Sequence, residues 1–292
     1  MTQSRLYFFA RKPEANHIAS ILDPTLDDEI ISTALFEDEK QPGAWCYSLY
    51  VETSDVDAWK QRVLSTLGSD GFGLTLNEEV LPDVDWVTQS LEQLAPVEAG
   101  QYFVHGSHDR SLAKNKRFAI EIDAGQAFGT GHHGTTAGCL DMLERVLKRR
   151  APQVAYDIGC GSGVLAIAMA KSCHAAILAT DIDPISTRVA RENAVLNGVG
   201  NAIRFETANG FSNTAFDEFG PADLVMANIL AGPLTGLAPH LAAHTMRGGR
   251  VILSGLLPHQ EARIVANYRM QGLIYERRHI RDGWLTLLLR KR

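Results

Sequence analysis

The 292-residue chain predicts an α/β protein. A doubly wound, mostly parallel sheet is expected, preceded by a small α+β domain of ferredoxin-like pattern. Three observations predict this. Strand-like and helix-like segments alternate from residue 118 to the C-terminus, as βα units do when helices cover both faces of a parallel sheet. Within that stretch, Asp157-Ile158-Gly159-Cys160-Gly161-Ser162-Gly163 stands between a short apolar run, 154–156, and an alanine-rich one, 164–170, so it reads as strand, glycine turn and helix. Ahead of it, residues 1–81 follow the order βαββαβ.

The first strand is Ser4-Arg5-Leu6-Tyr7-Phe8-Phe9-Ala10, aromatic and apolar. Pro13 opens a helix with Ala15, Ile18, Ala19 and Leu22 at helical spacing. Residues 30–36 and 45–51 are strands around the Pro42-Gly43 turn. Residues 56–67 are a helix closed by Gly68, and residues 74–81 are the fourth strand. Residues 82–117 read as a connector, with Asp85-Trp86, a short amphipathic stretch at Leu91 and Leu94, a candidate strand at Tyr102-Phe103-Val104, and a polar run up to Arg117. The second domain spans 118–292. It opens with a strand at 118–122 and a glycine-rich loop, and Thr135 or Thr136 is expected to cap the next helix. Strands are expected at 177–181, 203–207, 224–229 and 251–253, and helices at 184–197, 234–243 and 259–270. The last two apolar runs, split by Asp282-Gly283, are expected to pair as an antiparallel hairpin.

Composition is 45% hydrophobic and 21% charged, enough apolar material for a sizeable core. No apolar run approaches the roughly 20 residues that span a bilayer, and the N-terminus lacks a signal-peptide pattern. Cys46, Cys139, Cys160 and Cys173 are scattered, which points to reduced thiols and a cytoplasmic location rather than a disulfide or zinc framework. Net charge is −6, unevenly spread: residues 1–95 carry 17 acidic and 6 basic side chains, a balance of −11, and the remainder stands at +5. An acidic domain repels phosphates, so nucleic acid is disfavoured as its partner and a basic protein suits it; a solvated acidic surface explains the charge equally well.

The glycine turn selects its ligand by exclusion. A dinucleotide fingerprint needs G-x-G-x-x-G, and Val164 stands where the last glycine would. No Lys-Ser or Lys-Thr follows, as a P-loop requires. Asp181 lies 22 residues after Gly159, at the end of the next strand, where an acidic group meets the two hydroxyls of a ribose. Asp157 adds negative charge at the loop entry, unwelcome to a pyrophosphate and suited to the amino group and sulfonium of S-adenosylmethionine. Gly159 and Gly161 let the backbone pass close under that ligand. The bland alternative is a helix-packing glycine turn without a ligand. Asn228, near the end of the strand at 224–229, would orient an amine or hold part of the cofactor; an asparagine capping the strand-to-helix turn is the alternative. Phe128, Gly129, Thr130 and His133, from the glycine-rich loop, are candidate cofactor contacts; His132 and His133 would cover the cofactor or face the substrate, and a plain loop histidine is the default alternative. A metal at His132 and His133 is not expected, because adjacent histidines point apart and no further ligand stands at a useful spacing.

Four motifs together resemble the PrmA family, bacterial methyltransferases of ribosomal protein L11. They are Ala127-Phe128-Gly129-Thr130-Gly131-His132-His133-Gly134-Thr135-Thr136, the turn from Asp157 to Gly163, Asp181-Ile182-Asp183-Pro184, and Asn228-Ile229-Leu230-Ala231-Gly232-Pro233-Leu234. The resemblance implies a class I S-adenosylmethionine-dependent methyltransferase of Rossmann-like fold behind a ferredoxin-like substrate-recognition domain. It also implies cofactor contacts at Thr136, Gly159, Asp181 and Asn228. Family members often carry a proline where Gly134 stands, and a tryptophan-rich acidic connector of which only Asp85-Trp86 is present. The reaction expected is methylation of lysine side chains and of the N-terminal α-amino group of a basic ribosomal protein. That protein would be bound through the acidic domain by a monomer that needs neither nucleic acid nor membrane. Asn228 would position the amine. The rival readings are a methyltransferase of RNA or of a small molecule, and a non-catalytic cofactor-binding module.

Overall fold

The computed structural model describes residues 3–26, 31–38, 43–71, 73–80, 96–122 and 133–292. Packing divides the chain into two compact units, Met1–Val84 and Asp85–Arg292.

The first unit is built from β1 (Gln3–Arg11), α1 (Lys12–Leu26), β2 (Ser32–Glu37), β3 (Ala44–Glu52), α2 (Val56–Leu67) and β4 (Asn77–Val80). Its sheet has the order β2-β3-β1-β4 with every pair antiparallel, the ferredoxin-like arrangement. Alternation along the strands sends Leu6, Phe8, Tyr47 and Leu49 to the helix-covered face, where they bury with Ile18, Leu22 and Val63. Phe8 and Tyr47 stack with ring centroids 5.4 Å apart, and the Tyr47 hydroxyl donates to Asp23 Oδ1 at 2.5 Å. The fourth strand is shorter than residues 74–81. Leu74 and Leu76 spend their side chains on the core before the ladder begins, and Leu81 lies outside the described residues.

The second unit starts ahead of residue 118. Residues 96–117, expected as part of a connector with one strand at 102–104, contribute β5 (Val97–Ala99) and β6 (Tyr102–His105); β6 pairs with β5 on one side and with β7 (Phe118–Glu121) on the other in a three-stranded sheet. Val97, Ala99, Tyr102 and Ile120 are buried in one core with Leu140 and Leu143 of α3 (His133–Leu147). The Tyr102 hydroxyl donates to Ser172 Oγ at 2.9 Å. Apolar burial is what draws this stretch in, since three-residue strands hold little by themselves.

The main sheet has seven strands: β8 (Val154–Ile158), β9 (Ala176–Asp181), β10 (Ile203–Thr207), β11 (Ala222–Asn228), β12 (Thr245–Leu256), β13 (Leu273–Arg281) and β14 (Trp284–Lys291). Their order is β10-β9-β8-β11-β12-β14-β13. The first five are parallel, and β14 enters antiparallel to both neighbours. Helices α4 (Val164–Ser172), α5 (Pro184–Leu196), α6 (Ala215–Phe219), α7 (Ala231–Ala243) and α8 (Glu261–Met270) complete the alternation. The closing hairpin turns on Asp282 at φ 49° and Gly283 at φ 81°, two residues in the left-handed region that suit a tight two-residue turn. β8 lies between β9 and β11, so the strand order reverses there, and a crevice opens beyond the carboxyl ends of β8 and β11.

Two local expectations change. Thr135 and Thr136 lie in the first turn of α3 and do not cap it, because the helix begins at His133. Gly134 and Gly138 let that helix sit against the hairpin: a Cβ on Gly134 would come within 2.7 Å of the Arg281 carbonyl, and one on Gly138 within 2.3 Å of Thr286 Oγ1. β12 runs well beyond residues 251–253, because it pairs on both edges, with β11 and β14.

Candidate functional site

The glycine turn leaves β8 and enters α4 at the switch point. Gly159, Gly161 and Gly163 all have positive φ, at 72°, 52° and 82°, so the turn is closed to side-chain-bearing residues without strain. A Cβ on Gly159 would also stand 2.4 Å from Ile229 Cγ2, the residue after Asn228. The loop is tied to the next strand by its backbone: the N–H groups of Gly159 and Cys160 donate to the Thr180 carbonyl at 2.8 and 2.9 Å. Asp181 extends the tie. Its Oδ2 accepts from Gly161 N at 2.8 Å and its Oδ1 from Asp183 N at 3.0 Å. Each oxygen keeps a lone pair for a further donor, and the side chain stays partly exposed at the end of β9. Asp183 in turn caps α5, accepting from Ile185 N and Ser186 N with Pro184 in the first turn.

Asp157 takes a different place from the one expected. It is 1% exposed, behind the loop. Its Oδ2 accepts from Ala166 N at 2.9 Å, which braces the start of α4. Burial pushes its carboxyl up to about 7 from the ordinary 3.8; the Asp181 charge adds to the rise and the Ala166 N–H opposes it. Between 3.8 and about 7 the folded chain therefore holds a proton that the unfolded chain has released, and stability falls as pH rises through that window. Asp157→Asn cannot ionise. Its melting temperature relative to the parent is expected to climb from pH 4 to pH 7, and an offset constant over that range would overturn the assignment. Cys160, also buried in the loop, is pushed well above the ordinary thiol value by burial and by both aspartates, so it stays a thiol.

Asn228 ends β11, and its Nδ2 donates to Thr135 Oγ1 at 3.3 Å. This brings the end of β11 to the first turn of α3, where Thr136 is the next residue. Gly159, Gly161, Asp181, Asn228 and Thr136 thus belong to elements meeting at one end of the sheet. Phe128, Gly129 and Thr130 lie outside the described residues. His133 is the first residue of α3. Reading the sequence missed Thr135 as a partner of Asn228, and it missed Ser254 and Thr286 behind it. Nothing local marks them, since each is an ordinary hydroxyl residue until the strands are registered.

The donors present fit S-adenosylmethionine better than a pyrophosphate. Asp181 at the end of β9 and Asp157 behind the turn lie close enough for the Asp181 charge to raise the Asp157 carboxyl. The loop carries neither lysine nor arginine. Asp157 Oδ1, Ser162 Oγ and Thr180 Oγ1 are buried without a hydrogen-bond partner, clustered at the turn and its neighbouring strand. Among the described residues no three metal-ligating side chains gather.

Comparison with known proteins decides the family. The family model for ribosomal protein L11 methyltransferase (PrmA) matches residues 16–292. The chain belongs to this family. It is 47% identical over 289 residues to the ribosomal protein L11 methyltransferase of Allorhizobium ampelinum, covering 99% of this chain and all of that protein. It is also 47% identical over 291 residues to the protein of the same description from Sinorhizobium fredii, with both chains fully covered. The crystal structure of a ribosomal protein L11 methylase from Lactobacillus delbrueckii subsp. bulgaricus superposes with a TM-score of 0.60 at 32% identity, over 68% of this chain and all of that one. The chain is a methyltransferase of class I fold that uses S-adenosylmethionine.

Proposed function

We propose that this chain methylates amines of ribosomal protein L11, the lysine side chains and the N-terminal α-amino group, recognising it through the acidic first unit. It acts as a monomer in the cytoplasm, with no requirement for nucleic acid. The observation that carries the reading is full-length similarity: relatives described as ribosomal protein L11 methyltransferases match both units. The charge balance of −11 over residues 1–95 suits a basic protein. No helix among the described residues is long and apolar enough to cross a membrane.

Bound S-adenosylmethionine supplies an electrophilic methyl group on a sulfonium. Asp181 and the glycine turn hold the nucleoside, and the charge of Asp157 behind the turn favours a cationic ligand once it is ionised. An amine attacks only when neutral, which is easier for an N-terminal amine of pKa about 8 than for a lysine of about 10.4. Asn228 spends its Nδ2 on Thr135, which leaves its Oδ1 to accept from an amine N–H and aim the lone pair. Asn228→Ala is expected to slow methyl transfer by about tenfold to a hundredfold, with a smaller loss of cofactor affinity, in single-turnover assays. A parental rate would remove Asn228 from the acceptor side.

The test of the whole reading is a competition. Labelled S-adenosylmethionine is offered with ribosomal protein L11, ribosomal RNA and a metabolite extract together, and the labelled sites are mapped. Label on lysine and N-terminal amines of ribosomal protein L11 is the expected result. Label on RNA or on small molecules would overturn the substrate, and no label anywhere would overturn catalysis.

A further inference from the structure

Behind Asn228 lies a short chain of buried polar groups that methyl transfer, as derived so far, does not use. Ser254 is the register partner of Asn228 on β12. Its hydroxyl reaches the Thr135 carbonyl at 3.3 Å and lies 2.9 Å from Thr286 Oγ1 on β14. Ser254 is 0% and Thr286 1% exposed, and their neighbours two residues along each strand, Ile252 and Leu288, are buried in the core that also holds Leu140 and Leu143 of α3. Two buried hydroxyls there cost desolvation that an alanine and a valine would avoid.

The backbone is shaped around this pair. The ladder between β12 and β14 shifts register between Leu253 and Leu256. Gly255 sits at φ 79° in that shift, where a Cβ would stand 2.4 Å from the Ile229 carbonyl oxygen. Gly138 leaves the space that Thr286 Oγ1 occupies, since a Cβ on it would lie 2.3 Å away. The hydroxyls therefore clamp the first turn of α3 to the hairpin, and that turn carries the Thr135 hydroxyl to which Asn228 donates.

We infer that Ser254 and Thr286 are positioning residues for methyl transfer, holding Thr135 and through it the Asn228 amide in the orientation the amine meets. This rests on the proposed role of Asn228. The clamp moves no proton; it fixes geometry, so its loss lowers turnover and leaves cofactor affinity nearly unchanged.

The experiment uses the full chain with ribosomal protein L11 and labelled S-adenosylmethionine. It compares Ser254→Ala, Thr286→Val, Thr286→Ser, Asn228→Ala and the pair Ser254→Ala with Asn228→Ala. Single-turnover rate, cofactor dissociation constant and melting temperature are read for each. Ser254→Ala and Thr286→Val are expected to slow transfer about tenfold, with cofactor affinity within about twofold of the parent. Thr286→Ser restores the rate, because it returns the hydroxyl. In the Asn228→Ala background the serine change costs less than about twofold more, since both act through one amide. Parental rates for Ser254→Ala and Thr286→Val beside a slow Asn228→Ala would overturn the clamp alone, as would a fully additive double variant. A parental rate for Asn228→Ala would overturn the reading beneath it. If Ser254→Ala fails to fold, the Thr286→Val and Thr286→Ser comparison decides, because the first keeps the shape and removes the hydroxyl while the second keeps the hydroxyl and removes only a methyl.

Discussion

A chain lacking residues 1–84 is expected to bind S-adenosylmethionine with parental affinity and to lose methylation of ribosomal protein L11. The first half of that outcome follows from packing. Each unit has its own buried cluster, Leu6, Phe8, Tyr47 and Leu49 in the first and the sheet core of the second, so removal of one leaves the other's apolar burial intact. The second half follows from effective concentration. A tethered recognition domain holds a bound protein near the site at roughly millimolar level, so its loss reduces turnover at micromolar substrate by about a hundredfold or more. The acidic balance of residues 1–95 adds a salt dependence: KM for the basic substrate is expected to rise with ionic strength in the whole chain. Calorimetry with S-adenosylhomocysteine and a methylation assay over a salt series check both halves. Retained methylation in the truncated chain would move recognition into the second unit.

Asp181→Ala is expected to weaken cofactor binding about a hundredfold or more, the worth of two hydrogen bonds to a carboxylate. Two effects add. The ribose hydroxyls lose their acceptor, and the glycine turn loses the bond from Gly161 N to Asp181 Oδ2. They separate with a ligand whose ribose lacks one hydroxyl. The parent is expected to discriminate against that analogue by about tenfold, and Asp181→Ala to bind both alike. If Asp181→Ala still discriminates, the aspartate braces the loop and does not read the ribose.

Much of the site was legible because its signals are local. The turn at Asp157 to Gly163 needs positive φ at three glycines within five residues, and a neighbouring apolar run on each side tells strand from helix. Asp181 and Asn228 were placed by the ends of apolar strands, and strand ends are where a doubly wound sheet exposes its side chains to ligand. The Asp282-Gly283 turn was legible for the same reason, since both residues tolerate the left-handed region. Asp157 was legible as a charge but not as a buried one. Whether an acidic residue at the end of a strand faces the crevice or the helix behind it depends on the path of the turn, which here directs it to Ala166 N.

The remaining differences are all long-range. Residues 96–117 look like a polar connector because their apolar residues are few, yet Val97, Ala99 and Tyr102 find α3, some forty residues on, and are buried there. Thr135 has the composition of a helix cap, but the start of α3 is settled by contact of Gly134 and Gly138 with a hairpin near the C-terminus. Ser254 and Thr286 acquire a meaning only when β11, β12 and β14 are laid side by side. Local backbone chemistry, charge and hydrophobic period thus carried the fold class and the cofactor, because each acts within a few residues of chain, and the motifs' resemblance to a known family carried the rest. Tertiary packing decided what lies behind the ligand-facing residues: the burial of Asp157, the partner of Asn228 and the clamp on α3. The last two depend on contacts between elements far apart in sequence, and no short window of sequence holds both sides of them, whereas the burial of Asp157 is set by the path of the turn to Ala166 N.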